Sequence, residues 1–156
     1  MIEKLENKKV AVSTQIHSIF QMAYAVEAKL LNATDFPPLK RPLESFLKCD
    51  TMFFGYIENR EMKGVIEILY NSNCTNINSL VVNPTFFRRG VARKLLEFVI
   101  KKFDSEFFII ETAVNNKPAI ELYIKFGFKE IKQWNTKGGI RKIQLERKRI
   151  TKQDQL

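Results

Sequence analysis

The six residues Phe107-Phe108-Ile109-Ile110-Glu111-Thr112 constrain this chain more than any other feature. A near-continuous apolar run of strand length reads as a strand covered on both faces, the setting of a central strand with a parallel neighbour. The residues before it supply that neighbour. Residues 77–82 read as a strand halted by Asn83-Pro84, and Val91, Leu95, Leu96, Val99, Ile100 and Phe103 then trace one face of a helix. Strand, helix and strand in this order close as a right-handed parallel crossover, which fixes the middle of the fold.

The flanks are read by the same periodicities. Val10 and Val12 alternate within residues 9–13, which suggests a short first strand, and Ser13 or Thr14 offers a cap for a helix over residues 16–31. On a helical wheel Ile16, Ile19, Phe20, Ala23 and Leu30 form an apolar stripe with Glu27 in its middle, an odd place for a carboxylate. Asp35-Phe36-Pro37-Pro38-Leu39 is irregular, because consecutive prolines forbid a helix interior. A short helix over residues 42–48 follows. Residues 52–58 and 64–70 form a hairpin about Asn59-Arg60-Glu61. Beyond the central strand, a helix over residues 118–126 ends at Gly127 in a left-handed cap. Strands over residues 128–134 and 140–145 close around Lys137-Gly138-Gly139. This order predicts a mixed α+β fold in a single domain covering residues 1–156.

At 156 residues and 45% hydrophobic content, the chain can bury a core without disulfide or metal staples. Cys49 and Cys74 lack metal-ligand spacing and His17 is the one histidine, so both cysteines read as reduced thiols and no metal is expected. Glu3, Lys4 and Glu6 stand where a signal peptide would carry its apolar core, and no stretch is long and apolar enough to span a bilayer. A cytoplasmic location and no membrane partner are therefore expected. The net charge of +9 suits an anionic partner, either nucleic acid or a phosphorylated cofactor. The basic run Lys137, Arg141, Lys142, Arg147, Lys148, Arg149, Lys152 has no aromatic after Trp134 on which bases could stack, which argues against nucleic acid.

Leu80-Val81-Val82-Asn83-Pro84-Thr85-Phe86-Phe87-Arg88-Arg89-Gly90-Val91-Ala92-Arg93 carries the first chemical signal. A strand ends and a helix begins near Gly90, where first-turn N–H groups lack internal partners and carry partial positive charge. Gly90 and Ala92 lack bulk, and Arg88, Arg89 and Arg93 surround the point with positive charge. The arrangement is an anion cradle of the pyrophosphate kind. It is neither a Walker loop nor a dinucleotide fingerprint, since the residues those patterns need are missing.

The second signal is Asn115-Asn116-Lys117-Pro118-Ala119-Ile120-Glu121-Leu122-Tyr123-Ile124-Lys125-Phe126-Gly127-Phe128. Here the chain resembles the GNAT family of acetyl-CoA-dependent N-acetyltransferases. Asn116, Ala119, Leu122, Tyr123, Lys125, Gly127 and Phe128 match that family's Asn-x-x-Ala-x-x-Leu-Tyr-x-Lys-x-Gly-Phe element. Gly90 and Ala92 match its phosphate loop, whose leading Gln/Arg position holds Phe87. That departure shifts side-chain help for the phosphates to Arg88, Arg89 or Arg93 and leaves the backbone donors untouched. The resemblance implies a central, mostly antiparallel sheet with one parallel crossover and flanking helices. It implies acetyl-CoA as co-substrate, without metal, and a primary-amine acceptor, small or protein-borne. It also implies a possible homodimer.

Carried onto this sequence, the resemblance gives Leu80, Val81 and Val82 the pantetheine arm and Arg88, Arg89, Gly90, Val91, Ala92 and Arg93 the pyrophosphate. Asn116 bonds the pantetheine or caps the next helix. The cofactor's phosphates account for the positive balance without nucleic acid. Tyr123 is implied to protonate the leaving thiolate, a task a phenol suits because it can hydrogen-bond sulfur as charge develops there. Read by spacing alone, Tyr123 could equally be one more core aromatic beside Ala119, Leu122 and Phe126.

Freeing a lysine-like amine at neutral pH costs about 4.6 kcal/mol, so a base or a desolvating pocket is needed. Residues 76–82 hold no carboxylate, which leaves Glu111, Glu27, Glu67 or a water to take the proton. The acceptor pocket is implied to lie among Tyr24, Glu27, the Phe36-Pro37-Pro38-Leu39 turn, Trp134 and the Lys137-Gly138-Gly139 turn. A non-catalytic coenzyme A sensor of the same fold remains the alternative.

Overall fold

The computed structural model describes residues 1–149. Its strands are β1 (Ile2–Leu5), β2 (Met52–Glu58), β3 (Glu61–Leu69), β4 (Cys74–Val82), β5 (Phe107–Ala113), β6 (Lys129–Asn135) and β7 (Arg141–Lys148). Its helices are α1 (Val10–Leu30), α2 (Leu43–Lys48), α3 (Val91–Lys102) and α4 (Lys117–Lys125), with single 3-10 turns at Pro37–Lys40 and Pro84–Phe86. All seven strands join one sheet in the order β1-β2-β3-β4-β5-β7-β6. Every pairing is antiparallel except β4 with β5, the crossover expected around α3.

The two faces of the sheet carry separate cores. Phe53, Val65 and Val81 pack with Ile16, Ile19, Phe20 and Phe46 beneath α1 and α2. Phe54, Ile66, Ile68, Phe108, Ile110, Ile143 and Leu145 pack with Leu95, Leu96 and Val99 of α3 and Tyr123 of α4. The alternation Phe53/Phe54 and Val65/Ile66 follows from the two-residue period of a strand with both faces covered.

The amino terminus differs from expectation. Residues 9–13 open α1 instead of forming a strand, and the first strand is β1, paired to β2 with Leu5 opposite Phe53. Leu5 is buried there, whereas Val10 points to solvent, so the alternating valines lose to tertiary packing. Ser13 lies inside the helix and donates its hydroxyl to the Asn7 carbonyl, while Thr14 Oγ1 donates to the Val10 carbonyl at 2.7 Å. Neither caps the helix.

β5 also departs from its reading. Phe108, Ile110 and Thr112 are buried, but Phe107 and Ile109 are half-buried and Glu111 is exposed. α1 packs across β3 and β4 and leaves the corresponding face of β5 and β7 open.

Candidate active site

β4 and β5 run together and then part. Their parallel register holds from Cys74↔Phe107 to Ile77↔Ile110 and goes no further. On its other edge β4 stays paired with β3 to Gly64↔Val82, but Glu67 faces Ser79 while Ile68 faces Ile77, so Asn78 is an extra residue, a bulge. A bulge bends and twists its strand locally. From Asn78 onward the edge of β4 turned toward β5 has no strand partner, which leaves backbone donors and acceptors open along one side of a cleft.

Beyond Val82 the chain turns. Asn83 Oδ1 accepts the Thr85 N–H at 3.0 Å and holds the 3-10 turn. Arg88 and Gly90 take left-handed backbone, with φ of 63° and 77°, and α3 starts at Val91. Among the described residues, none of the N–H groups of Arg88, Arg89, Gly90, Val91, Ala92 or Arg93 finds an acceptor. A Cβ at Gly90 would meet nothing within 4 Å, so the space beside Gly90 is open. The expected cradle residues therefore lie together. Arg88, Arg89 and Arg93 are exposed, and the Arg89 guanidinium lies 5.6 Å from the Phe86 ring centroid. Phe87, at the family's leading basic position, is 42% exposed.

Gly64 sets how close this turn comes to the sheet. An added Cβ there would stand 2.6 Å from Val91 Cγ1. Only a residue without one lets the first turn of α3 lie against β3.

The gap between β4 and β5 opens into a cleft of about 630 Å³. Leu80 lines it, half-buried, while the Val81 side chain points away into the core under α1 and Val82 is half-buried beside the turn. Of the three residues expected along the pantetheine arm, Leu80 lines the cleft and Val81 and Val82 do not.

Tyr123 answers both of its readings. It is 6% exposed with its ring 6.0 Å from that of Phe128, and it also lines the cleft. Burial, with lesser help from Tyr24 and Glu27, pushes its phenol well above the ordinary tyrosine range, so it stays protonated at neutral pH. Tyr24 lines the same cleft, and burial pushes it up to about 12.

Asn116 does not cap α4. It stands at the cap position, but its Nδ2 donates to Glu27 Oε1 at 3.0 Å and to Thr112 Oγ1 at 3.4 Å. That bond explains the carboxylate in the apolar stripe: Glu27 reaches from α1 across the cleft to the head of α4. Burial raises its pKa, against the opposing effects of Asn116 and Lys142.

The other candidate carboxylates lie elsewhere. Glu67 is 2% exposed and fully engaged. Its two oxygens take Arg41 Nη1 and Nη2 at 2.7 and 3.0 Å, and they also accept Thr51 Oγ1 at 2.7 Å and Ser79 Oγ at 3.0 Å. Glu111 lines the cleft but is exposed, accepting Gln144 Nε2 at 3.1 Å.

Of the expected acceptor wall, Tyr24, Glu27, Phe36, Pro37, Pro38, Lys137 and Gly138 line the cleft, whereas Leu39, Gly139 and Trp134 do not. Trp134 stands on β6 with the Lys132 ammonium 5.4 Å from its ring centroid. Among the polar cleft residues that sequence reasoning gave no site role are Arg41, Ser79 and Lys142. Arg41 carried a signal, a cation just after the proline turn with a carboxylate at an otherwise apolar strand position to pair with. Ser79 carried none, because a bulge leaves no mark in this strand's composition.

The sheet parts at its one parallel pair, and a buried tyrosine lines the gap of this α+β fold. The chain belongs to the acetyltransferase (GNAT) family, whose profile matches residues 15–128. It is 34% identical over 131 residues to the UPF0157 protein YqkA of Bacillus subtilis (strain 168), a match covering 83% of this chain and 38% of that one. The chain thus spans well under half of that relative's length. Among solved structures it resembles the ribosomal-protein-S18-alanine N-acetyltransferase of Escherichia coli, with TM-score 0.76, 21% identity and 95% and 92% of the two chains covered. It also resembles the PaiA N-acetyltransferase of Thermoplasma acidophilum in complex with coenzyme A, with TM-score 0.72, 17% identity and 96% and 98% covered. Among the described residues, no helix is long and apolar enough to cross a membrane, and no group of histidine, cysteine and carboxylate side chains could hold a metal.

Proposed function

We propose that this protein transfers an acetyl group from acetyl-CoA to a primary amine by direct attack within a ternary complex. The observation that carries the reading is β4 itself: its unpaired edge at Asn78–Leu80 lines the cleft that Tyr123 also lines, and the same strand runs on into the turn whose N–H groups at Arg88–Arg93 are unpaired. Six donors at a helix start suit a pyrophosphate, the open strand edge suits the amide-bearing pantetheine arm, and the arm's thioester then ends in the cleft.

The free amine attacks the carbonyl carbon, forming the C–N bond as the C–S bond breaks. Tyr123 stabilises the departing sulfur by donating its hydroxyl hydrogen; the thiolate leaves as thiol with that proton, and solvent, which takes the proton released to Glu27, returns one to Tyr123. The proton lost from nitrogen goes to Glu27. Of the three carboxylates, Glu27 alone combines partial burial, a raised pKa and a place in the cleft beside Tyr123 and Asn116. Glu67 is committed to Arg41, and Glu111 lies in solvent. The half-buried, unpaired thiols of Cys49 and Cys74 suit a reducing, cytoplasmic setting.

Two measurements test this. Calorimetry at low salt is expected to show coenzyme A binding, and free-thiol release from acetyl-CoA is expected with an amine panel. No uptake of coenzyme A would end the proposal. Uptake with no turnover of any amine would leave a coenzyme A sensor of the same fold.

A further inference from the structure

The charges around the cleft sort into those already paired and those that are not. Arg41 is held by Glu67, Asp35 pairs with Lys40, and Glu111 is exposed with Gln144 against it. Two groups remain. Glu27 accepts only the neutral Asn116 amide. Lys142 is half-buried on β7, between Ala113 of β5 and Trp134 of β6, and among the described residues it makes no hydrogen bond or salt bridge. Lys142 and Glu27 line the same cleft, and the two form no salt bridge. Lys137 adds a second, exposed ammonium at the rim.

A partly desolvated ammonium without a partner costs stability that an anionic ligand restores. One carboxylate and one ammonium, both partly buried and neither in a salt bridge among the described residues, stand in one cleft of a size that takes a small molecule. Their complement is a ligand with the opposite charge at each end. A diamine satisfies Glu27 and is repelled at Lys142, while a simple amine leaves Lys142 bare.

We propose that the acceptor is a small amphoteric amine, its amino group directed at Glu27 and a carboxylate of the same molecule paired with Lys142. This rests on the acetyl-transfer reading and deepens its acceptor side.

The experiment uses the full chain, acetyl-CoA and free-thiol release, with acceptors in pairs: amino acids against their carboxamides, which differ in the one charge. An α-amide makes the neighbouring amine easier to deprotonate, so a preference for the acid cannot come from intrinsic reactivity. The acid is expected to exceed its amide about tenfold in kcat/KM, mostly through KM, as for a partly buried charge pair. Lys142→Gln is expected to collapse the ratio toward one by lowering the acid, and Lys142→Arg to keep most of it. The KM for acetyl-CoA in the variants reports whether the donor side is intact. Amides equal to or better than acids in the wild type, a ratio untouched by Lys142→Gln, or no acetylation of either kind while acetyl-CoA binds would each overturn the inference. Failure to bind coenzyme A would instead strike the acetyl-transfer reading itself.

Discussion

Replacing Gly64 by alanine adds a methyl group 2.6 Å from Val91 Cγ1, 3.1 Å from the Val81 carbonyl oxygen and 3.2 Å from Leu95 Cδ1. Carbon atoms rest about 3.5–4.0 Å apart, so the overlap with Val91 is roughly 1 Å. Val91 cannot turn aside, because a β-branched side chain in a helix has one strongly preferred rotamer and this one is 4% exposed. The helix start must move instead, and it carries the free N–H groups of the cradle. Overpacking of this kind costs about 1–3 kcal/mol of stability. A displacement approaching 1 Å at a ligand-gripping backbone is expected to weaken coenzyme A binding at least about tenfold. Urea denaturation and calorimetry with coenzyme A measure the two effects. Gly55→Ala is the control, since the three atoms nearest its methyl all belong to the Leu5 side chain, at 3.0–3.2 Å, and none to α3. Val91→Ala in the Gly64→Ala background is expected to recover both losses, a coupling that a double-mutant cycle isolates. Wild-type affinity in Gly64→Ala, or no recovery in the double variant, would refute the reasoning.

Tyr123→Phe is expected to lower kcat at least about tenfold with coenzyme A affinity nearly unchanged, because the ring's packing survives and only the sulfur's donor is lost; equal kcat in both proteins would remove the acid role. Arg41→Ala leaves the Glu67 carboxylate buried with only the Thr51 and Ser79 hydroxyls, and a cost of about 3–5 kcal/mol is expected in urea denaturation. Glu27 has a folded pKa above its unfolded value of about 4.3. Between those values the native state keeps a proton the unfolded chain has released, so stability present at lower pH is lost as pH rises through the folded pKa. Glu27→Gln, whose amide oxygen can still accept from Asn116, is expected to flatten that part of a stability-against-pH curve; an unaltered curve would show that the carboxylate is not desolvated.

What could be read from the chain followed its strongest periodicities. The crossover through α3, the hairpin of β2 and β3, the cradle about Gly90 and the pairing of Gly127 with a helix end all rest on local patterns, and local patterns are what a sequence displays. The first strand was hidden because Ile2–Leu5 has one fully buried side chain, Leu5, and owes its form to pairing with β2. The parting of β4 and β5 was hidden because Asn78, exposed and polar, looks like any strand-edge residue. Glu27 stood out as a misfit, but its partner Asn116 lies 89 positions along the chain. Contacts of that range are set by topology and leave no trace in spacing.

The end of α4 shows why a family motif can be a statement about geometry. The Phe128 N–H donates to the Tyr123 carbonyl at 3.1 Å and the Gly127 N–H to the Ile124 carbonyl at 3.0 Å, the two bonds of a Schellman ending with Gly127 at φ 87°. That ending brings the residue after the glycine back against the residue three before the cap, and here those two are Phe128 and Tyr123. Tyr123, Gly127 and Phe128 are therefore one device: the glycine permits the turn, the turn seats the phenylalanine, and the phenylalanine fixes the tyrosine ring. Arg147 Nε, donating to the Phe126 carbonyl at 2.7 Å, ties the same turn to β7, which carries Lys142. The proposed acid and the proposed carboxylate partner thus share one support, so strain introduced at Gly127 is expected to reach acceptor binding as well as the chemical step.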